Sequence, residues 1–213
     1  MNVVKDFFVR FWGNTAARAV VLLFLTACVG AGAMAAVNML TEDVIENREA
    51  DELKKTLRAV FPDAAEFIED RSVIAEGSSV LRFYAAMDDS SVHTATETGL
   101  AETPAGFAVF AAPRGRGGVI ELAVGVSYDG AVTYVSVLDT DEIQEIGAKV
   151  DDGSFLRQFR GKRAGISVGR GENSIDAVAG ATISSRAVIA GVNDALAAVG
   201  EYIAREAELY NDN

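Results

Sequence analysis

A ten-residue segment near the end of the chain, residues 176–185, combines a carboxylate, a glycine and three hydroxyl residues just ahead of a long helical pattern. Residues 174–178 are predicted as a short strand, and Gly180 with the alanine after it lets another group approach the backbone. A helix is expected to begin at Thr182 or Ser184, where a hydroxyl suits the N-cap. Free backbone N–H groups and the positive end of the helix dipole favour phosphate there. Taken alone, the segment predicts a plain strand, turn and capped helix, with a phosphate site as the alternative.

The spacing Asp-x-x-x-Gly-Ala-Thr followed by two serines closely resembles the flavinylation motif of the FMN-binding domain family, Asp-x-x-(Ser/Thr)-Gly-Ala-Thr. In that family the threonine hydroxyl carries FMN through a phosphoester bond, which a flavin transferase installs using FAD and magnesium. The resemblance implies the same attachment at Thr182. Ala179 stands where relatives usually have Ser or Thr, so one hydroxyl near the phosphate is missing. The cofactor-binding residues that this motif implies are Asp176, Ala179, Gly180, Ala181, Thr182, Ser184 and Ser185.

A second segment, residues 141–149, resembles another motif of the same family. Relatives usually have Glu-Thr-Pro-Gly-Leu-Gly-Ala-Lys, followed by Phe-x-x-Gln-Phe, and this loop packs along the isoalloxazine ring. The chain keeps Gly-Ala-Lys and the two phenylalanines, Phe155 and Phe159, but has Ile-Gln-Glu in place of Thr-Pro-Gly. Losing Pro and Gly changes the freedom of the backbone, so FMN is expected in an altered ring environment. The residues that this motif adds to the implied site are Glu142, Ile143, Ile146, Gly147 and Lys149.

The composition excludes several other classes of site. A net charge of −12 argues against a nucleic-acid partner, which would need basic residues to neutralise phosphates. One cysteine and one histidine provide no ligand set for zinc or an iron–sulfur cluster and no internal disulfide. His93, in a polar stretch, is expected to be an exposed loop residue. We therefore predict neither a metal site nor a catalytic residue, and any redox chemistry must come from an organic cofactor.

Residues 19–40 carry no charge and are long enough to cross a bilayer as one helix. Basic residues precede this stretch and acidic residues follow it, so the positive-inside rule places residues 1–18 in the cytoplasm. Two alternatives share the stretch: a signal-peptidase site at residues 33–35, and a lipobox that would make Cys28 a lipid-bearing N-terminus. All three interpretations place the rest of the chain outside the cytoplasm. The retained anchor, which we expect, holds it at the inner cell membrane, whereas cleavage by signal peptidase would release a soluble protein.

The remaining chain predicts an α+β fold, with a mainly antiparallel sheet packed by helices. Residues 41–62 are expected to form an amphipathic connector helix, capped by Thr41 and ended by Pro62. The FMN-binding domain is expected over residues 63–205, and residues 206–213 are expected to fray. Strands are predicted over residues 80–86, 107–111, 119–127 and 131–138, with a tight hairpin turn at Asp129-Gly130 between the last two.

The same motif occurs in the G subunits of Rnf-type complexes, which couple electron transfer between ferredoxin and NAD to ion transport. The resemblance therefore implies a single-pass membrane subunit that carries electrons on covalent FMN, with other membrane subunits and a flavin transferase as partners. One alternative is an unflavinylated extracytoplasmic module that scaffolds a complex or binds another ligand. Another is an FMN carrier of a quinone-linked or extracellular electron-transfer chain. Covalent flavin discriminates against the first alternative, and co-purifying subunits discriminate against the second.

Overall fold

The structure, a computed structural model, describes residues 15–88, 103–141 and 149–211. It divides into two compact units, Met1–Leu53 and Lys54–Asn213. The second unit begins nine residues before the predicted domain boundary at 63, because the last turns of the first helix pack with the sheet. His93 lies outside the described residues, so its predicted exposure stays a prediction.

Helix α1, Thr15–Val60, covers both the predicted membrane segment and the predicted connector. It is continuous through residue 41, so Thr41 lies inside the helix and the predicted N-cap is wrong. The helix ends two residues before Pro62, as predicted, because proline cannot continue the hydrogen-bond pattern.

The apolar part of α1 is a candidate membrane span. Arg18–Ala35 is long and apolar enough to cross a bilayer, and none of it is buried inside the protein. Leu23 is 73% exposed, for example. The Thr26 hydroxyl donates to the Leu23 carbonyl oxygen at 2.9 Å, which gives this polar group a partner within the helix. Length and composition thus support a membrane-associated segment.

The second unit is built on a five-stranded antiparallel sheet in which each strand pairs with the next along the chain. The four predicted strands are confirmed to within two residues at each end. The first strand, at the edge of the sheet, was not predicted, because four residues of mixed polarity carry no clear alternation. The strands are β1 Glu66–Glu69, β2 Val80–Met87, β3 Gly106–Ala111, β4 Ile120–Ser127 and β5 Val132–Thr140.

The predicted hairpin turn between β4 and β5 is confirmed. Gly130 has a φ of +80°, in the left-handed region where glycine meets no steric penalty. Its N–H donates to the Ser127 carbonyl oxygen at 2.9 Å. The Asp129-Gly130 pair therefore sets the register of the two strands.

Four further elements complete the second unit: α2 Gly153–Arg157, β6 Ser167–Val168, β7 Ser174–Ile175 and α3 Thr182–Asn211. Strand β7 pairs in parallel with β6 and is shorter than the predicted strand over 174–178. Helix α3 continues to Asn211, so residues 206–211 are helical where fraying was expected. A window of α3, Thr182–Glu208, is also apolar enough to span a membrane, but half of it is buried because it is the core helix of this unit.

The sheet is covered on both faces. Helix α3 covers the face that carries Phe107, Val124 and Val126, and these side chains belong to one buried cluster with Val188 and Val192. Because side chains alternate along a strand, intervening residues face the other side. There the end of α1 packs: a Cβ built on Gly125 would lie 2.6 Å from Val60 Cγ1, and one on Gly106 would lie 2.4 Å from Phe61 Cζ. Glycine at these positions permits the close approach.

Candidate functional site

The predicted attachment segment is a six-residue connection between β7 and α3. Ile175, at the end of β7, is fully buried, and Ala181, just before α3, is 3% exposed. Between these anchors Ala179 and Gly180 are exposed at the tip. Gly180 has a φ of +79°, which explains why glycine is needed where the chain turns into the helix.

Helix α3 begins at Thr182, so the three hydroxyl residues lie in its first turn and not at the N-cap position, which Ala181 occupies. The predicted hydroxyl N-cap is therefore wrong. Thr182 is exposed, and Ile183 beside it is 53% exposed. Thr182 is thus the accessible hydroxyl of this turn.

Ser184 and Ser185 are both fully buried. The Ser185 hydroxyl accepts a hydrogen bond from the Val178 N–H at 3.0 Å and donates one to the Ala181 carbonyl oxygen at 2.9 Å. It therefore ties the attachment loop to the first turn of α3. That Ser184 and Ser185 stabilise a phosphate stays a prediction.

Lys149, from the second motif, lies beside Gly180. Its Nζ is 3.3 Å from the position that a Cβ would take on Gly180. The fold thus brings together two sequence motifs that are far apart along the chain, and it places an exposed ammonium group next to the start of α3. The other residues predicted from that motif lie outside the described residues, and their roles stay predictions: Glu142, Ile143, Ile146 and Gly147.

Helix α2 leads from the second motif toward the attachment loop. It begins after Asp152, and a hydrogen bond from the Ser154 hydroxyl lowers the pKa of the Asp152 carboxyl. Phe155 and Phe159 are buried as predicted, with ring centroids 5.5 Å apart and an interplanar angle of 90°. This edge-to-face pair fixes α2 in the core.

Gln158, between the two phenylalanines, contacts the attachment segment, which was not predicted from the sequence. Its Oε1 accepts the Asp176 N–H at 2.9 Å, and its Nε2 donates to the Asp176 carbonyl oxygen at 3.4 Å. The signal was present in the Phe-x-x-Gln-Phe pattern, but the partner depends on the tertiary fold. The Asp176 side chain is exposed, and its role toward a cofactor stays a prediction.

These features fit a phosphate ester. An exposed hydroxyl residue is the first residue of a 30-residue helix, where the helix dipole has its positive end. The positive end of the dipole and the Lys149 ammonium group both favour a negatively charged ester at that position. In the described ranges no group of three or more His, Cys, Asp or Glu side chains could hold a metal ion.

Two family models and several relatives match the chain. The model of the FMN-binding domain matches residues 115–197, and the model of the RnfG N-terminal region matches residues 1–60. The G subunit of an ion-translocating oxidoreductase complex from Shewanella baltica is 33% identical over 186 residues, covering 82% of this chain and 85% of that protein. The chain belongs to the family of G subunits of ion-translocating oxidoreductase complexes.

A second G subunit also matches most of the chain. The G subunit of the Na⁺-translocating ferredoxin:NAD⁺ oxidoreductase complex of Acetobacterium woodii is 29% identical, covering 81% of this chain and 86% of that protein. The crystal structure of Shewanella oneidensis NqrC has 20% sequence identity and a TM-score of 0.44, covering 68% of this chain and 73% of that one. The matched FMN-binding region contains Lys149, Gln158 and Thr182, and the N-terminal match ends at the last residue of α1.

Proposed function

We propose that this chain is a membrane-anchored electron-transfer subunit that carries FMN as a phosphoester on Thr182 in an Rnf-type ion-translocating complex. The observation that carries the proposal is the exposed Thr182 at the first position of α3, two residues after Gly180, where a Cβ would lie 3.3 Å from Lys149 Nζ. This position lies inside the region that matches the FMN-binding domain. Relatives that are G subunits, matched over more than four-fifths of the chain, support the complex.

The residues of the site have separable roles toward the phosphate. Thr182 Oγ1 forms the ester bond, and Gly180 leaves the space beside it clear of a side chain. The start of α3 and the Lys149 ammonium group stabilise the negative charge of the phosphodiester. Ser185 holds the loop through its two hydrogen bonds with Val178 and Ala181.

Attachment requires a flavin transferase with FAD and magnesium. Thr182 Oγ1 forms a bond to the phosphorus of the FMN half of FAD, the pyrophosphate bond breaks, and AMP leaves. The hydroxyl proton passes to a base on the transferase. An exposed hydroxyl is needed because the transferase must reach it, which Thr182 satisfies and the buried Ser184 and Ser185 do not.

FMN, when bound, supplies transfer of one or two electrons, and the protein supplies position, burial and charge. As the resemblance implies, Glu142, Ile143, Ile146 and Gly147, which lie outside the described residues, are the candidates for contact with the flavin ring. Covalent attachment suits an extracytoplasmic site, where a reversibly bound cofactor would be lost to dilution. We place residues 1–18 in the cytoplasm, with one membrane passage and the second unit outside, beside the other membrane subunits of the complex.

Co-expression with a flavin transferase tests the proposal. After membrane extraction, the wild-type chain should fluoresce on a denaturing gel under ultraviolet light, and its intact mass should rise by FMN less one water. Thr182→Ala should abolish both signals, and peptide mapping should place the flavin on Thr182. Thr140→Ala, at the end of β5, is the matched control and should keep both signals.

An unmodified wild-type chain in the presence of an active transferase would refute the flavin carrier and favour an unflavinylated scaffold. A flavinylated chain that co-purifies with quinone-linked or extracellular electron-transfer proteins in place of Rnf-type subunits would refute the assignment to the complex alone.

A further inference from the structure

Gln158 is the side chain that links α2 to the attachment loop. We infer that Gln158 is a positioning residue for flavinylation, which holds the loop in the conformation that the flavin transferase modifies. The inference rests on the proposed attachment of FMN at Thr182. It adds a residue that need not touch the cofactor and acts through the backbone of Asp176.

Gln158 forms two hydrogen bonds with the backbone of one loop residue, Asp176. The Asp176 N–H donates to Gln158 Oε1 at 2.9 Å, and Gln158 Nε2 donates to the Asp176 carbonyl oxygen at 3.4 Å. The Gln158 side-chain amide thus pairs with the Asp176 backbone as a neighbouring strand would, just beyond the end of β7 at Ile175. Because both backbone groups of Asp176 are engaged, rotation of this peptide segment would break two hydrogen bonds together.

The backbone of Gln158 is held in place by its buried neighbours. Phe155 is 2% exposed and Phe159 is fully buried, so the residues on both sides of Gln158 are fixed by the core. The Gln158 backbone therefore has a defined position relative to the sheet, and its side-chain amide reaches the loop from there.

The other end of the loop is held by Ser185, whose buried hydroxyl engages Val178 and Ala181. The exposed tip of the loop, Ala179 and Gly180, lies between the two residues that Ser185 engages, and Asp176 lies two residues before the first of them. Fixing a loop before binding removes the entropy cost of ordering it during the encounter. Loss of the two Gln158 hydrogen bonds should therefore slow the flavinylation of Thr182.

The chain offers a matched control. The Asn193 side chain forms the same pair of hydrogen bonds with the backbone of Ile166. The Ile166 N–H donates to Asn193 Oδ1 at 2.9 Å, and Asn193 Nδ2 donates to the Ile166 carbonyl oxygen at 2.8 Å. Asn193 lies eleven residues beyond Thr182 in α3, about 16 Å along the helix. Replacing Asn193 removes two hydrogen bonds of the same kind at a place away from the attachment loop.

The experiment compares initial rates of Thr182 flavinylation of the full chain in detergent, with transferase, FAD and magnesium, read by intact mass. Gln158→Met keeps the length of the side chain and removes both hydrogen bonds, and the rate should fall roughly three- to tenfold, as expected for one to two net hydrogen bonds. Gln158→Glu keeps an acceptor for the Asp176 N–H and should lose less. Asn193→Leu should stay within about twofold of wild type, at a similar loss of thermal stability.

Hydrogen exchange gives a readout that is independent of the transferase. Backbone amides of residues 176–181 should exchange faster in Gln158→Met than in wild type. In Asn193→Leu, the backbone amide of Ile166 should exchange faster instead. Equal flavinylation rates for wild type and Gln158→Met would overturn the inference and leave the carrier function intact, as would equal slowing by Asn193→Leu. If Gln158→Met does not fold, Gln158→Ala decides: it also removes both hydrogen bonds, so a wild-type rate with unchanged exchange at Asp176 overturns the inference. A wild-type chain that is never modified overturns the proposed function instead.

Discussion

Replacing Gly180 by alanine tests the geometry of the attachment site directly. The residue has a φ of +79°, and a Cβ there would lie 3.3 Å from the Lys149 Nζ. The substitution therefore has two separable effects: a backbone penalty for a side chain in the left-handed region, and displacement of the ammonium group next to Thr182.

The magnitude follows from these two contacts. An L-residue in the left-handed region costs about 1–2 kcal/mol, and the reduced freedom of the unfolded chain returns about 0.4–1 kcal/mol. Because Lys149 has a flexible side chain, its ammonium group can shift by a few tenths of an ångström at little cost. We expect the free energy of unfolding to fall by about 1 kcal/mol, which lowers the Tm of a unit of this size by about 2–4 °C.

Gly77→Ala is the matched control. Gly77 has a similar φ, +84°, but a Cβ there would have open space around it. Both variants should lose similar stability in thermal unfolding followed by circular dichroism. Only Gly180→Ala should also slow the flavinylation of Thr182, by several-fold, because it alone moves Lys149 and the tip of the loop. A Gly180→Ala chain at least as stable as wild type would refute the left-handed turn, and equal flavinylation rates in the two variants would refute the role of the Lys149 contact.

Two further predictions concern the scaffold. Burial raises the pKa of Asp70, but hydrogen bonds from the Ser72 hydroxyl and N–H and the Arg205 ion pair at 2.5 Å outweigh it, so the net pKa is lowered. Because the pKa of Asp70 is lower in the folded state, its carboxylate stabilises the fold above the unfolded value of about 3.9, and this stabilisation is lost as pH falls through the folded value. The Tm difference between wild type and Asp70→Asn should therefore shrink from pH 7 toward pH 3. A Tm difference that stays constant over this range would contradict the prediction. Gly106→Ala should lower the free energy of unfolding by about 1–3 kcal/mol in urea titrations, because the added Cβ would lie 2.4 Å from the Phe61 ring. Gly200→Ala, with nothing near its Cβ position, should not destabilise, and a similar loss there would argue against packing of Phe61 as the cause.

Much of the fold was readable from local patterns. Runs rich in strand-forming residues predicted β2 to β5, Asp129-Gly130 predicted the hairpin, and Pro62 predicted the end of α1. The spacing of Phe155 and Phe159 predicted which side of α2 is buried. Each of these signals depends on the intrinsic geometry of a few consecutive residues, so the sequence carries it without knowledge of distant contacts.

Several predictions failed where local preference was weak or was overridden. Thr41 did not start a new helix, because its surroundings support helix on both sides and a cap residue does not by itself interrupt one. The strand predicted over 174–178 stops at Ile175, where its parallel pairing with β6 ends. Strand β1 was missed because its four residues owe their conformation to pairing with β2.

The sequence by itself determined which hydroxyl is the candidate for attachment, because motif spacing and the predicted start of a helix both point to Thr182. Only the tertiary structure decided what surrounds it: Lys149 beside Gly180, Gln158 on the backbone of Asp176, and a buried Ser185 engaged by the loop. Those contacts join residues from separate elements, and their positions depend on how α2 and α3 pack against one sheet. Local periodicity contains no information on such packing, since it arises from burying side chains that are distant along the chain.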